Sequence, residues 1–383
     1  MDTARITALF RENFALYGDA GASLSVWHDG CEVLSLADGW CDRERTVPWT
    51  ADTPVLVWSA TKGPAAACVL HAMQEHGLTP AARVADVWPE FAAHGKGALT
   101  IGQTLSHQSG VPALDRVASV FDHAAVAEAI AEQAPYWEPG TAHGYGPRLF
   151  GYLLDELVRR IAGRTLGEYW RTVFAEPLGL DFWIGVPEGI VAKVAPIFPP
   201  KAAPPKDRFY TAFVTPGSLT LRAFGSPDGL KSVAAMNAPE GRRASLPGFG
   251  GIGTAAALAK FYAMLACGGA LDDRTFFKPA TLAWMNTTFV QGDDRVLLID
   301  TAFSAGFMKD PLALAGEPVS SEGKKLRAIF GPSPSAFGHP GAGGSHAFAD
   351  PKHRIAFAYV MNRMEPGVLP GPKALRLVGA IYE

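Results

Sequence analysis

The chain has 383 residues, 48% of them hydrophobic and 19% charged. That is ample apolar material for a core and too little charge for a disordered polymer, and the length suits one large or two interleaved domains at roughly 150 residues each. The 34 Lys and Arg against 37 Asp and Glu leave a formal net charge of −3, which excludes the basic footprint of a nucleic-acid binder or of a protein held on anionic lipid.

In chain order, Ile6, Leu9, Phe10, Phe14 and Tyr17 recur at helical spacing, and Gly18 ends the run. Leu24 and Val26, then Val33, Leu34 and Leu36, flank Asp29-Gly30. Asp-Gly tolerates the positive φ angles of a type I′ turn, so the pair predicts a β-hairpin. Val55 to Trp58 is another extended run, leading into a helix from about Ser59 to Gly77. From about 79 to 180 the pattern is mostly helical, best in Ala124–Ala131 and Leu149–Ile161. Residues 196–245, rich in Pro, Gly and Ser, read as extended loops over a surface. Ala255 to Cys267 is a helix closed by Gly268-Gly269. Ala347–Ala349 and Ile355–Val360 read as buried strands about a turn at Asp350-Pro351, and a helix from about Pro372 finishes the chain. Strands at both ends with helices between them predict an α+β fold. Its antiparallel sheet is built from 1–78 and 250–383 and flanked by helices, with a mostly helical domain, 79–249, inserted.

Three local signals bear on chemistry. The first is Ser59 and Lys62 in Trp58-Ser59-Ala60-Thr61-Lys62. Three apart on a helix, they share a face with Cβ atoms roughly 5–6 Å apart. A serine hydroxyl needs a base to become a nucleophile, and a desolvated lysine amine can serve. Spacing alone also fits an N-cap serine beside a surface lysine, and Ser321 and Lys324 repeat it in a polar, Gly-broken stretch. The second is Tyr145, just before a helix that Pro147 is suited to start; a phenol there could relay a proton or simply pack. The third is Phe337-Gly338-His339-Pro340-Gly341-Ala342-Gly343-Gly344-Ser345, where glycines beside a strand let a backbone amide approach a ligand.

The order of these signals resembles the serine β-lactamase and penicillin-binding protein superfamily. Leu99-Thr100-Ile101 with Leu105-Ser106-His107-Gln108-Ser109-Gly110, Pro177 to Gly185, and Gly338 to Gly344 resemble further segments of that family, so the likeness runs from about 20 to 362. It is nearest the class C-like branch and its family VIII carboxylesterases, and it implies the β-lactamase-like fold. It also implies that Ser59 is the acylated nucleophile and that Lys62 and Tyr145 share the general base and acid roles, in either assignment. The Ser59 and Ala342 amides would form the oxyanion hole, and His339 would stand where the family's K-T-G motif has lysine. His107 looks structural. Trp58, Trp183, Phe249, His339 and Gly341 are the expected substrate contacts.

Two departures bear on substrate. The family's Tyr-x-Asn ends here in Pro147, which has no side-chain amide, and K-T-G is His339-Pro340-Gly341, which lacks the fixed cation. Both disfavour a β-lactamase or D-amino-acid peptidase and favour neutral esters; a short acyl chain is implied by the resemblance alone, and an acyltransferase using the same acyl-enzyme is another alternative. Gly248 to Gly253 fits G-x-G-x-x-G literally, but no buried strand precedes it, so it does not read as a nucleotide loop. Neither the ten His nor the four Cys fall at metal-ligand spacing, so no metal or other cofactor is expected. The cysteines read as buried thiols in a reducing compartment. Met1–Phe14 has no apolar signal core, and no run is long enough to span a bilayer, so a cytoplasmic protein with a small-molecule ester substrate and no nucleic-acid or membrane partner is expected. The sequence leaves the oligomeric state open.

Overall fold

The computed structural model describes residues 1–313 and 324–383. Ser321 of the repeated Ser-x-x-Lys spacing lies outside the described residues. The first helix, α1 (Thr3–Leu16), is capped by Asp2, whose side chain accepts from the Arg5 N–H. It is followed by the hairpin β1 (Gly21–His28) and β2 (Cys31–Gly39). Asp29 and Gly30 take φ of 50° and 77°, the geometry the Asp-Gly pair foretold. Towards the C-terminus lie β3 (Val290–Asp293), β4 (Asp300–Phe303), β5 (Met308–Lys309), β6 (Phe337–Pro340), β7 (His346–Asp350) and β8 (Ile355–Met361). Together these form one eight-stranded antiparallel sheet of order β2-β1-β8-β7-β6-β5-β4-β3.

The central strand β8 explains the layering. Ile355, Phe357, Tyr359 and Met361 point to one face, and Ala356, Ala358 and Val360 to the other. The large side chains pack with Leu24, Val26 and Phe348 under Ile6 and Phe10 of α1 and Leu377 and Val378 of the last helix (Pro372–Ile381). The small ones admit an alanine-rich helix (Ala255–Ala266) close to the sheet, with α2 (Lys62–Glu75) in the same cluster. A buried ion pair ties the first layer down: Lys373 Nζ is 2.6 Å from Asp19 Oδ1, and both side chains are almost fully excluded from solvent.

A small three-stranded sheet joins this body to the helical segment. Gly251–Gly253 lies between Val55–Leu56 and Phe182–Ile184. A Cβ on Gly251 would stand 2.6 Å from Thr61 Oγ1 and 2.5 Å from the Phe182 ring. Glycine here is what lets the chain pass directly against the turn that carries Ser59.

The sequence reading needs three corrections. Residues 196–245 are not simply extended: they hold four short helices, Arg208–Val214, Leu219–Gly225, Val233–Asn237 and Pro239–Arg243. Asp207, Ser218 and Ser232 cap the first three, and pieces this short carry no readable period. The helix after Tyr145 begins at Leu149, not at Pro147. Of the four cysteines, all unpaired, only Cys68 is buried and Cys31 is exposed. Among the described residues no helix is long and apolar enough to cross a membrane.

Removing one partner of a buried pair strands the other charge. Lys373→Ala is therefore expected to lower the unfolding free energy by about 3–5 kcal/mol, read from urea titration, while the exposed-pair variant Arg83→Ala changes it by less than about 1 kcal/mol.

Candidate active site

The strand Val55–Leu56 ends in a strained turn. Trp58 has φ of 50°, a left-handed conformation that a bulky residue adopts at a cost of about 1–3 kcal/mol. The turn opens a short 3-10 helix, Trp58–Thr61, that runs straight into α2 at Lys62. Ser59 is thus in a first helical turn, where amides have no intrahelical partner. Its side chain is half-buried while that of Lys62, one turn on, is completely enclosed. Thr61 locks the turn by accepting from the Gly251 N–H at 2.8 Å.

Lys62 is the electrostatic centre of the site. Its Nζ lies 2.6 Å from the Gly248 carbonyl, 2.9 Å from the Pro147 carbonyl and 3.3 Å from Ser59 Oγ. No carboxylate joins it, and burial alone pushes its pKa well below the ordinary lysine value. A neutral amine has two N–H donors and one lone pair. The two carbonyls can only accept, so they take both donors. In that neutral form the lone pair would face the Ser59 hydroxyl, the geometry a general base needs.

Tyr145 completes the group. The Lys62 amine sits 4.7 Å from the centre of its ring, and the nearby Ser59 hydroxyl partly offsets the effect of burial on its phenol. Burial raises the phenol pKa far above its ordinary value, so Tyr145 holds its proton. Asp294 fixes the backbone here: both carboxylate oxygens lie 3.1 Å from the Tyr145 N–H. The same carboxylate accepts from the Val296 and Leu297 amides and the Thr301 hydroxyl. His107 Nδ1 accepts from the next amide, Gly146, at 3.2 Å, and its ring packs on Phe150 and Phe303. Burial lowers the His107 pKa well below its ordinary value, so the ring accepts at Nδ1 and orders the Tyr145 segment.

β6 forms the opposite wall. A Cβ on Gly341 would stand 2.1 Å from the Val57 carbonyl, so only glycine brings this strand end against the turn that carries Ser59. The Gly341 N–H donates to the Ser345 carbonyl at 2.6 Å and the Gly344 N–H to the Gly341 carbonyl at 3.1 Å. The Ala342 N–H takes part in neither bond. With the Ser59 N–H it is the donor pair the sequence suggested for an oxyanion. His339 is buried, 5.8 Å ring to ring from Tyr145. Its Nδ1 lies 2.7 Å from the Pro340 carbonyl, which fixes the proton on Nδ1 and leaves Nε2 a buried acceptor with no partner. Burial drives its pKa well below the ordinary histidine value. No positive charge stands at this position.

The structure gathers Ser59, Lys62, Tyr145, His339, Gly341 and Ala342, with Trp58 in the same turn. Phe249 follows Gly248 but is buried under the Arg148 guanidinium, 4.6 Å from its ring centre. Trp183 lines a separate cleft with Trp170, Pro187 and Arg243. The glycine-rich stretch from Gly248 supplies a carbonyl to Lys62 and a central strand, with Thr254 capping the next helix. Among the described residues no cluster of three or more His, Cys, Asp or Glu is arranged to hold a metal ion. Sequence reasoning missed Asp294; its signal is local, an aspartate followed by free amides two and three residues on.

The beta-lactamase family profile matches residues 6–380. This chain belongs to the beta-lactamase family. It is 32% identical over 355 residues to the esterase/beta-lactamase LipL of Mycobacterium tuberculosis, covering 90% of this chain and 77% of that one. A penicillin-binding protein homologue from Caulobacter crescentus superimposes with a TM-score of 0.85 at 37% identity, over 99% of this chain and 96% of that one. A family VIII carboxylesterase does so at 0.86 and 32%, with the same coverage. The chain is a serine hydrolase of this family with the β-lactamase-like α+β fold that its sequence resembles.

Two outcomes follow from the Lys62 cage. As pH falls through the lowered lysine pKa, protonation removes the lone pair, so kcat/KM should drop on the acid side with a midpoint far below 10.5. A midpoint near that ordinary value would contradict a neutral Lys62. Lys62→Met should cost about 10²–10⁴-fold in kcat/KM without lowering the melting temperature, because a buried amine held off its preferred charge state is replaced by an apolar chain.

Proposed function

We propose that this hydrolase is a carboxylesterase for neutral, short-chain esters, working through a Ser59 acyl-enzyme. The observation that carries the substrate assignment is the neutral, carbonyl-tethered His339. A β-lactam or a peptide C-terminus carries a carboxylate that requires a cation, and His339 offers a bare acceptor instead. Pro147 supports the same reading, because its carbonyl is committed to Lys62 and it has no amide to orient an acyl side chain. The name of one relative, a family VIII carboxylesterase, supports the esterase part of the reading, while the other, an esterase/beta-lactamase, names both activities.

In this reading Lys62 takes the Ser59 proton as Oγ attacks the ester carbonyl. The carbonyl oxygen becomes an oxyanion held by the Ser59 and Ala342 amides. Tyr145, protonated at rest, gives its proton to the departing alkoxide, and the proton on Lys62 restores the phenol. The sum moves the serine proton to the alcohol and leaves an acyl-serine. Water then attacks the acyl carbon. Its proton passes through the same pair back to Ser59 Oγ, releasing the acid.

The test is hydrolysis of a 4-nitrophenyl ester series beside a chromogenic cephalosporin, for the wild type and Ser59→Ala. Ester turnover should exceed cephalosporin turnover and fall at least about 10³-fold in Ser59→Ala. Cephalosporin turnover rivalling the esters would overturn the substrate assignment, and ester turnover surviving Ser59→Ala would overturn the nucleophile.

A further inference from the structure

A second cleft, sharing no residue with the catalytic group, lies where α1, the end of β2 and the chain after β8 meet. It encloses about 650 Å³ and is lined by Arg11, Arg43, Arg45, Lys201 and Arg363, with Trp40 and Phe14 among its walls. Among the described residues none of these five cations forms an ion pair. Ten of the seventeen other arginines are matched to carboxylates; here five cations without such a match share one cleft.

Three aspartates also border the cleft, and each is engaged. Asp19 is held by Lys373 and accepts from the Tyr359 hydroxyl at 2.6 Å. Asp42 accepts from the Thr46 amide at 2.8 Å and from its hydroxyl. Asp38 accepts from the Gly39 amide at 2.7 Å. Asp19 is neutralised by Lys373 from the last helix, and Asp42 and Asp38 are held by donors of their own loops, so two carboxylates face five cations and the cleft keeps a positive excess.

The arrangement of two arginines is the second observation. Arg43 and Arg363 both stack on Phe198, at 5.1 and 4.8 Å from its ring centre. Burial, then the charge of Arg43, lower the Arg363 pKa. Arg363 spends one N–H on the Pro199 carbonyl, while its buried Nε has no partner. Two like charges held on one ring, one with an unsatisfied buried donor, cost free energy that a bound anion would offset.

We propose that this cleft binds a small, multiply charged phosphate compound. A planar carboxylate engages one guanidinium fork, whereas a tetrahedral phosphate presents oxygens to several donors at once, and a diphosphate neutralises more of the five cations. The cleft is too confined, and the chain too acidic overall, for a nucleic-acid track. Its volume exceeds a bare phosphate, which leaves Trp40 and Phe14 free to cover an organic body.

Calorimetric titration of the whole protein at low ionic strength with pyrophosphate, ADP and citrate tests this. Pyrophosphate and ADP should bind saturably with Kd of roughly 10⁻⁴ M or tighter, and Arg43→Ala or Arg363→Ala should weaken each by at least about tenfold. ADP binding more tightly than pyrophosphate would identify an organic phosphate as the occupant, and the reverse an inorganic one. Ester turnover of both variants should match the wild type, which also reports that they fold. Absence of saturable binding by the wild type, equal binding of citrate, or binding that survives both substitutions would overturn the proposal.

Discussion

Enclosure of one amine without a counter-ion organises this protein. Lys62 contributes no favourable charge pair to folding, and its burial has to be offset by packing elsewhere. A second lysine shows what the choice of partners does. Lys96 Nζ is also buried and bonds three carbonyls, those of Ala93, Ala131 and Gln133. Three acceptors suit the three donors of an ammonium ion, and such a lysine is a strut. At Lys62 one of the three carbonyls is replaced by a hydroxyl, which can donate as well as accept. That single exchange of partner is what would let Lys62 serve as the base proposed for it.

The carbonyls that make the cage come from far apart. Pro147 and Gly248 stand 85 and 186 residues from Lys62 along the chain. They meet because the three-stranded sheet brings the Gly251 strand onto the nucleophile turn, and because the Asp294 carboxylate clamps the Tyr145 segment. The charge state of the amine is therefore a property of the assembled fold, and disturbing either support would alter chemistry without touching a reacting atom.

This also sets the limit of what could be read from residues alone. The hairpin, α1, α2 and the helix over Ala255–Ala266 carry their own instructions, an Asp-Gly turn or a sustained apolar period, and they are legible. The spacing of Ser59 and Lys62 is legible for the same reason, being one helical turn. The strands at the far edge of the sheet are not. Val290–Asp293 and Asp300–Phe303 are four residues each, and Gln291, Gly292, Asp293 and Asp300 interrupt any alternation. Their pairing with each other and with Met308 specifies them, and that is long-range information. The short helices between 208 and 243 were hidden likewise, as caps without a period. In the site, the residue types at 59, 62, 145 and 339 were visible, but not that His339 would be tethered through Nδ1 or that Asp294 would stand behind Tyr145.

The contact between Gly341 and the Val57 carbonyl reaches beyond the reaction. Backbone meets backbone there, with no side chain between to be trimmed or enlarged. The β6 side of the site therefore offers natural variation almost nothing to work on, since any substituent at 341 would push the turn that carries Ser59 away. The helical segments between 208 and 243 touch the body backbone to backbone at Asp228 and Arg242, and elsewhere they meet it through side chains that can drift in sequence. Descendants of this protein should therefore vary in those segments, while the wall formed by β6 stays as it is.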